Sequence, residues 1–202
     1  MSVFRKIFGS NSNKSKVKLE KEDQQRFLRD EDSPVDEKFT INFNNNGGKF
    51  LYCETSDEVQ INLNKIVKEN NWIDKTALIL NPRLKEKFKG FDFDTTTKIE
   101  EADFLFTTCE YLIASDGSLL ISSNQIAEKK LDELPKDFIV FATTSQFVET
   151  ISAGLQGIKA QNKKNIPSNI TTIKHFKVEE TTNFLSYGSS SKNLYLLLLE
   201  VL

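Results

Sequence analysis

Apolar positions fall into short continuous runs separated by stretches with helical spacing. Residues 49–53, 76–80, 137–142 and 193–202 are such runs. Their length and polar boundaries suit strands buried on both faces. Residues 169–176 read as a further strand, and Phe91 with Phe93 as a brief extended piece. Between these runs the pattern is helical. Thr55 and Glu58 have the spacing of a capping box. They precede a helix to about Asn70, with Val59, Leu63, Ile66 and Val67 on one face. Asn81-Pro82 reads as a helix entry, proline being favoured at the first helical position, and residues 83–89 as a short helix stopped by Gly90. Thr143 and Thr144 read as caps of a helix carrying Phe147, Val148, Ile151, Leu155 and Ile158. Residues 178–185 read as another short helix. Phe39, Ile41 and Phe43 mark an ordered segment that ends in a turn at residues 44–48.

Residues 107–123 organise the rest. Tyr111, Leu112 and Ile113 form one extended arm and Leu119, Leu120 and Ile121 the other. Ser115, Asp116, Gly117 and Ser118 lie between them, and Asp-Gly between apolar runs is a strong hairpin signal. Residues 124–136 form a connection, part of it helical, and residues 165–168 a loop. Buried strands alternating with amphipathic helices imply an α/β fold. The expected architecture is three-layered, a largely parallel sheet holding one antiparallel hairpin.

The first 38 residues differ in kind. Arg5, Lys6, Lys14, Lys16 and Lys18 stand in residues 1–18 without an acid. Val3, Phe4, Ile7 and Phe8 can share one helical face before Gly9, which gives Met1–Gly9 two readings. One is a membrane or partner anchor; the other, and the preferred one, is a sticky tail, since a two-turn helix is marginal alone. Residues 10–38 read as a polar linker, leaving residues 39–202 as the domain.

The chain has 202 residues and a net charge of −2, which argues against a nucleic-acid surface over the whole domain. Cys53 and Cys109 are its two cysteines and His175 its one histidine. That supply excludes a four-cysteine cluster within this chain and any multi-histidine metal site. No metal site or cofactor is expected. The thiols read as free and buried, which with the lack of a signal-peptide core or spanning segment points to a cytoplasmic protein.

Candidate chemistry sits on polar loops, because open α/β sheets bind ligands beyond the carboxyl ends of their strands. Residues 122–125, 143–146 and 174–177 qualify, and residues 187–191 precede the last strand. Ser115, Gly117 and Ser118 read either as a plain hairpin turn or as a cradle for a carboxylate or phosphate. Glu110 and Asp116 are the candidate acid–base groups. A buried, unpartnered Glu110 would suit proton transfer, whereas pairing with Lys174 or Lys177 would hold it ionised. His175 reads as a general base or as an ordinary strand histidine. Gly188, Ser189 and Ser190 read as an anion loop or a flexible one. Glycine-rich nucleotide motifs and a serine elbow are absent.

Two stretches resemble the LUD (lactate-utilization) domain family. Residues 107–121 are similar to its strand of small and acidic residues, its turn and its aliphatic strand. Residues 188–199 are similar to its glycine-containing loop and closing strand. Where relatives commonly carry glutamate before the turn, this chain has Ser115 and then Asp116. The resemblance implies a fold of the NagB/RpiA/CoA-transferase group. It also implies a non-redox part in bacterial oxidation of L-lactate to pyruvate, with a small carboxylate bound or partner iron–sulfur subunits docked. Two alternatives stand beside it. One is a CoA-transferase-like or sugar-phosphate-isomerase-like enzyme using Glu110 or Asp116. The other is an interaction module recruited through its N-terminal segment.

Overall fold

The computed structural model describes residues 33–88, 93–176 and 192–201. In chain order they form α1 (Val35–Asn45), β1 (Lys49–Cys53), α2 (Ser56–Glu69), β2 (Thr76–Leu78), α3 (Pro82–Lys87), β3 (Asp94–Thr96), β4 (Phe104–Thr108), β5 (Tyr111–Ile113) and β6 (Ser118–Ile121). Then follow α4 (Ser123–Ile126), β7 (Asp137–Thr143), β8 (Phe147–Val148), α5 (Ile151–Gln161), β9 (Thr171–Ile173) and β10 (Asn193–Leu199). Six strands make a parallel sheet in the order β1-β10-β7-β4-β2-β3. The other four make a mixed sheet, β8-β5-β6-β9.

Strand β10 shows why the large sheet needs cover on both sides. Leu194, Leu196 and Leu198 point to one face and Tyr195 and Leu197 to the other, and all five are buried. On one face, Val59, Leu63 and Ile66 of α2 and Leu84 of α3 pack with Trp72 over Phe104, Phe106 and Ile139. Trp72 stacks on Phe104 at 4.5 Å and meets Tyr195 edge-on at 6.4 Å. The other face is covered by Phe39 and Phe43 of α1 and by Leu112, Leu119 and Ile121 of the small sheet. The outer face of that small sheet packs Tyr111, Ile113 and Leu120 against Ile158 of α5. A three-layer α/β domain with a largely parallel sheet is therefore present, and α5 lies outside the small sheet. Among the described residues, every buried side-chain polar atom has a hydrogen-bond partner. No helix among them is long and apolar enough to cross a membrane.

Several local expectations change. Phe39 and Phe43 are spaced as i and i+4 on a helix, with Ile41 turned outward. That helix begins at Val35, inside the expected linker. Asp36 and Glu37 favour its amino end, and Lys38 pairs with Glu149 at 3.0 Å. Thr55 caps α2 as expected, but the Glu58 carboxylate accepts from the Glu54 amide, one residue earlier than a capping box requires. Thr143 begins only a short turn; Phe147 and Val148 pair as β8 beside β5, and the helix starts at Ile151 under a Thr150 cap. The hairpin belongs to its own sheet, because the chain leaves the large sheet at Cys109 and Glu110. Gly90, Phe91, residues 178–185 and Met1–Gly9 lie outside the described residues.

Lys192 is buried where β10 begins. Its ammonium donates to the carbonyls of Leu134 (3.1 Å) and Pro135 (3.0 Å) and lies 5.1 Å above the Phe138 ring. Burial lowers its pKa from 10.5 to about 8, Asp132 and Asp137 opposing that shift and Lys136 adding to it.

Two outcomes follow from this packing. Gly117 has φ +69°, and a β-carbon there would lie 2.3 Å from the Phe43 amide nitrogen. Gly117→Ala is expected to cost about 2–4 kcal/mol of stability, measured by urea unfolding. Because Lys192 binds its proton more weakly folded than unfolded, its burial penalty is complete below pH 8 and is relieved as pH rises toward 10.5. Between pH 7 and 9.5, urea unfolding should show the native chain gaining about 2 kcal/mol relative to Lys192→Met.

Candidate functional site

The candidate residues separate to opposite ends of the large sheet. The Asp116 turn lies at the amino ends of its strands. Asn42 Nδ2 on α1 donates to the Ala114 carbonyl (2.8 Å), and Asn46 Nδ2 donates to the Asp116 carbonyl (2.7 Å). Asp116 Oδ1 accepts from the Ser118 amide (3.1 Å) and from Ser118 Oγ (2.6 Å). Asp116 Oδ2 lies 3.6 Å from Lys174 Nζ. The Gly117 amide donates to Ile113, and the Ser115 amide donates to the carbonyl of Glu149. The Ser118 hydroxyl and the amides of Ser115, Gly117 and Ser118 are thus engaged inside the protein, while Ser115 is exposed. These bonds seat the turn as a peg on α1. His175 is exposed, and its carbonyl accepts from the Lys192 amide just before β10. Lys177, Gly188, Ser189 and Ser190 lie outside the described residues.

Glu110 belongs to the carboxyl end. The three residues of β5 separate it from the turn, roughly 10 Å of strand, so Glu110 and Asp116 do not share a site. Lys174 pairs with Asp116 rather than with Glu110. Glu110 is half-buried, and its Oε1 accepts from Ser122 Oγ (2.6 Å) and from Asn124 Nδ2 (2.9 Å). Its Oε2 accepts nothing among the described residues.

The peptide that carries Glu110 is clamped separately. Gln146 Nε2 donates to the carbonyls of Cys109 (2.6 Å) and Glu110 (3.2 Å). Gln146 Oε1 accepts from the Thr143 amide (2.8 Å). The loops after β6 and β7 therefore converge on one residue, the first on the Glu110 carboxylate and the second on its backbone carbonyl. Ser122, Asn124 and Gln146 were missed as partners of Glu110, although their signal was present. Ser122 to Gln125 and Thr143 to Gln146 both have Ser/Thr-x-x-Gln spacing, and both form capping boxes here.

Neither thiol is poised to react. Burial, reinforced by the Glu110 carboxylate, pushes the Cys109 thiol far above its ordinary range. Burial also raises Cys53, against the hydrogen bond from Asn62. The thiolate is the nucleophile and the metal ligand, so both groups are inert as they stand. Among the described residues no three histidine, cysteine, aspartate or glutamate side chains are grouped to hold a metal ion.

The model of the LUD domain matches residues 37–198. A solved structure, a DUF162 family protein from Deinococcus radiodurans, is similar with a TM-score of 0.56 and 14% identity. The match covers 83% of this chain and 96% of that one, and at that identity it speaks for the fold. No curated protein sequence matches the chain.

The Gln146 clamp has a measurable weight. Gln146→Ala strips donors from two carbonyls and leaves the Thr143 amide unpaired. A loss of about 1–3 kcal/mol in urea unfolding is expected, with faster amide hydrogen exchange at Ala114, whose donor bond to Val148 ties β5 to β8.

Proposed function

The chain belongs to the LUD (lactate-utilization) domain family, and from that premise we propose a non-redox part in the oxidation of L-lactate to pyruvate. In this reading it binds a small carboxylate and docks on separate iron–sulfur subunits in the bacterial cytoplasm. The family match over residues 37–198 carries the proposal. Thiol supply supports its non-redox side: a cysteine-ligated cluster takes four thiolates, and this chain has two cysteines, both buried and free.

One observation favours a second reading, an acid–base enzyme of the CoA-transferase-like or isomerase-like kind. Glu110 has one oxygen anchored by two donors and the other unengaged, the arrangement a positioned general base requires. Asp116 has no such freedom, since both its oxygens are engaged by Ser118 and Lys174.

Growth separates the two readings. In a host without a second copy, deleting the gene should slow growth on L-lactate and leave growth on glucose unchanged. Unimpaired growth on L-lactate would overturn the lactate assignment. Complementation with Glu110→Gln should restore growth if the protein is a binding and docking component. If Glu110 is an acid–base group, the variant should accumulate as folded protein and fail to restore growth.

A further inference from the structure

Helix α5 carries apolar residues on two sides. Gly154 and Ile158 face the small sheet, Gly154 lying beside Leu120. Ile151 and Leu155 are 37% and 43% exposed. Ile151, Leu155 and Lys159 stand four residues apart, which sets all three on one outward stripe. Lys163 and Lys164 follow just past the Asn162 cap. Lys159, Lys163 and Lys164 are exposed and make no ion pair among the described residues. Residues 150–173 contain no aspartate or glutamate. The outermost layer of the domain thus shows an apolar stripe with a basic end, in a chain whose net charge is −2.

The chain carries a complement to this stripe close by. Residues 1–32 precede the described part and join it just before α1. The first turns of α1 sit against the approach to α5: Lys38 pairs with Glu149 at 3.0 Å, and the Phe39 ring lies 5.2 Å from that of Phe147. Leu28 is separated from Ser33 by up to roughly 17 Å of extended chain, which brings it within reach of the start of α5. Charge decides which stretch suits the stripe. Residues 1–18 hold five basic residues and no acid, the same sign as its lysine end. Residues 19–32 hold six acids against three bases and include Phe27 and Leu28.

We propose that Leu19–Asp32 folds back onto the outer face of α5, with Phe27 and Leu28 covering Ile151 and Leu155 and the acids facing Lys159, Lys163 and Lys164. Tethering within one chain gives the segment an effective concentration on the order of millimolar, so contacts too weak to join free molecules suffice here. The apolar contact supplies the affinity, and the opposite charges set which part of the tail docks. The inference is independent of the lactate reading.

The test is paramagnetic relaxation in the full chain, labelled with nitrogen-15 and carrying a nitroxide on Gln25→Cys. Cys53 and Cys109 are buried and stay unlabelled. Amides of α5 should broaden, while those of α2, which covers the other face of the large sheet, stay sharp. Leu155→Asp should shift the docked-to-free ratio about tenfold toward free, and Lys159→Glu about threefold. Both positions are exposed, and circular dichroism checks that the fold is kept. Ile61→Asp, at an exposed position of α2, should leave the broadening unchanged. Absence of broadening, or broadening confined to another face, would overturn the proposal. So would broadening of α5 that persists unchanged in both variants. Nitroxide-bearing chains without nitrogen-15, mixed with labelled chains without nitroxide, should broaden nothing; broadening of α5 in that mixture assigns the face to a second copy and overturns the fold-back.

Discussion

A parallel sheet tolerates no bare face, and that constraint organises this molecule. The leucines of β10 face both ways, so each side of the sheet must be roofed. Helices α2 and α3 roof one side. On the other, α1 shares the work with a second sheet, which is apolar on both faces and needs α5 above it. The apolar arms of the hairpin are explained by this: Leu112 and Leu119 serve the large core, while Tyr111, Ile113 and Leu120 serve the smaller one. Gly117 lets the turn press against the backbone of α1, and so locks the two roofing elements together.

What the sequence shows plainly is whatever a single segment decides. Continuous apolar runs marked β1, β2, β7 and β10, and the spacing of Val59, Leu63, Ile66 and Val67 marked the buried face of α2. What escaped depends on partners distant in the chain. Phe147 and Val148 fit a helical face, yet pairing with Leu112 and Ile113 makes them a strand. Phe39, Ile41 and Phe43 alternate like a strand, yet two aromatic side chains meeting one core from a helix explain the pattern better. The candidate site was legible in part. Glu110 stood out as a carboxylate among small residues, and the loops around residues 122–125 and 143–146 were marked by position. Their convergence was not legible, because the bonds that unite them span 12 to 37 positions. The surroundings of Asp116 were equally hidden: its turn is engaged by Asn42 and Asn46 on α1, by Lys174 and by its own neighbour Ser118.

The two carboxylates illustrate how environment sets role. Asp116 accepts from its own turn and faces Lys174, so its charge is spent on local structure. Glu110 takes two donors on one oxygen and keeps the other unengaged, held in place by a glutamine from a third segment. The clamp acts on the backbone rather than on the carboxylate, so the anchor of the peptide and the anchor of the side chain are separable. A replacement at Gln146 loosens the first and a replacement at Ser122 the second.

Trp72 is the one tryptophan of the chain, stacked on Phe104 between α2 and the large sheet. The native emission of this protein is therefore a local gauge. It reports the side of the sheet covered by helices and is insensitive to the layer formed by the small sheet and α5. Circular dichroism, by contrast, sums over every layer. Fluorescence and dichroism unfolding curves that coincide mark the layers as one cooperative unit. Curves that part company mark the small sheet as a separately melting lid, with the Glu110 peptide as its hinge.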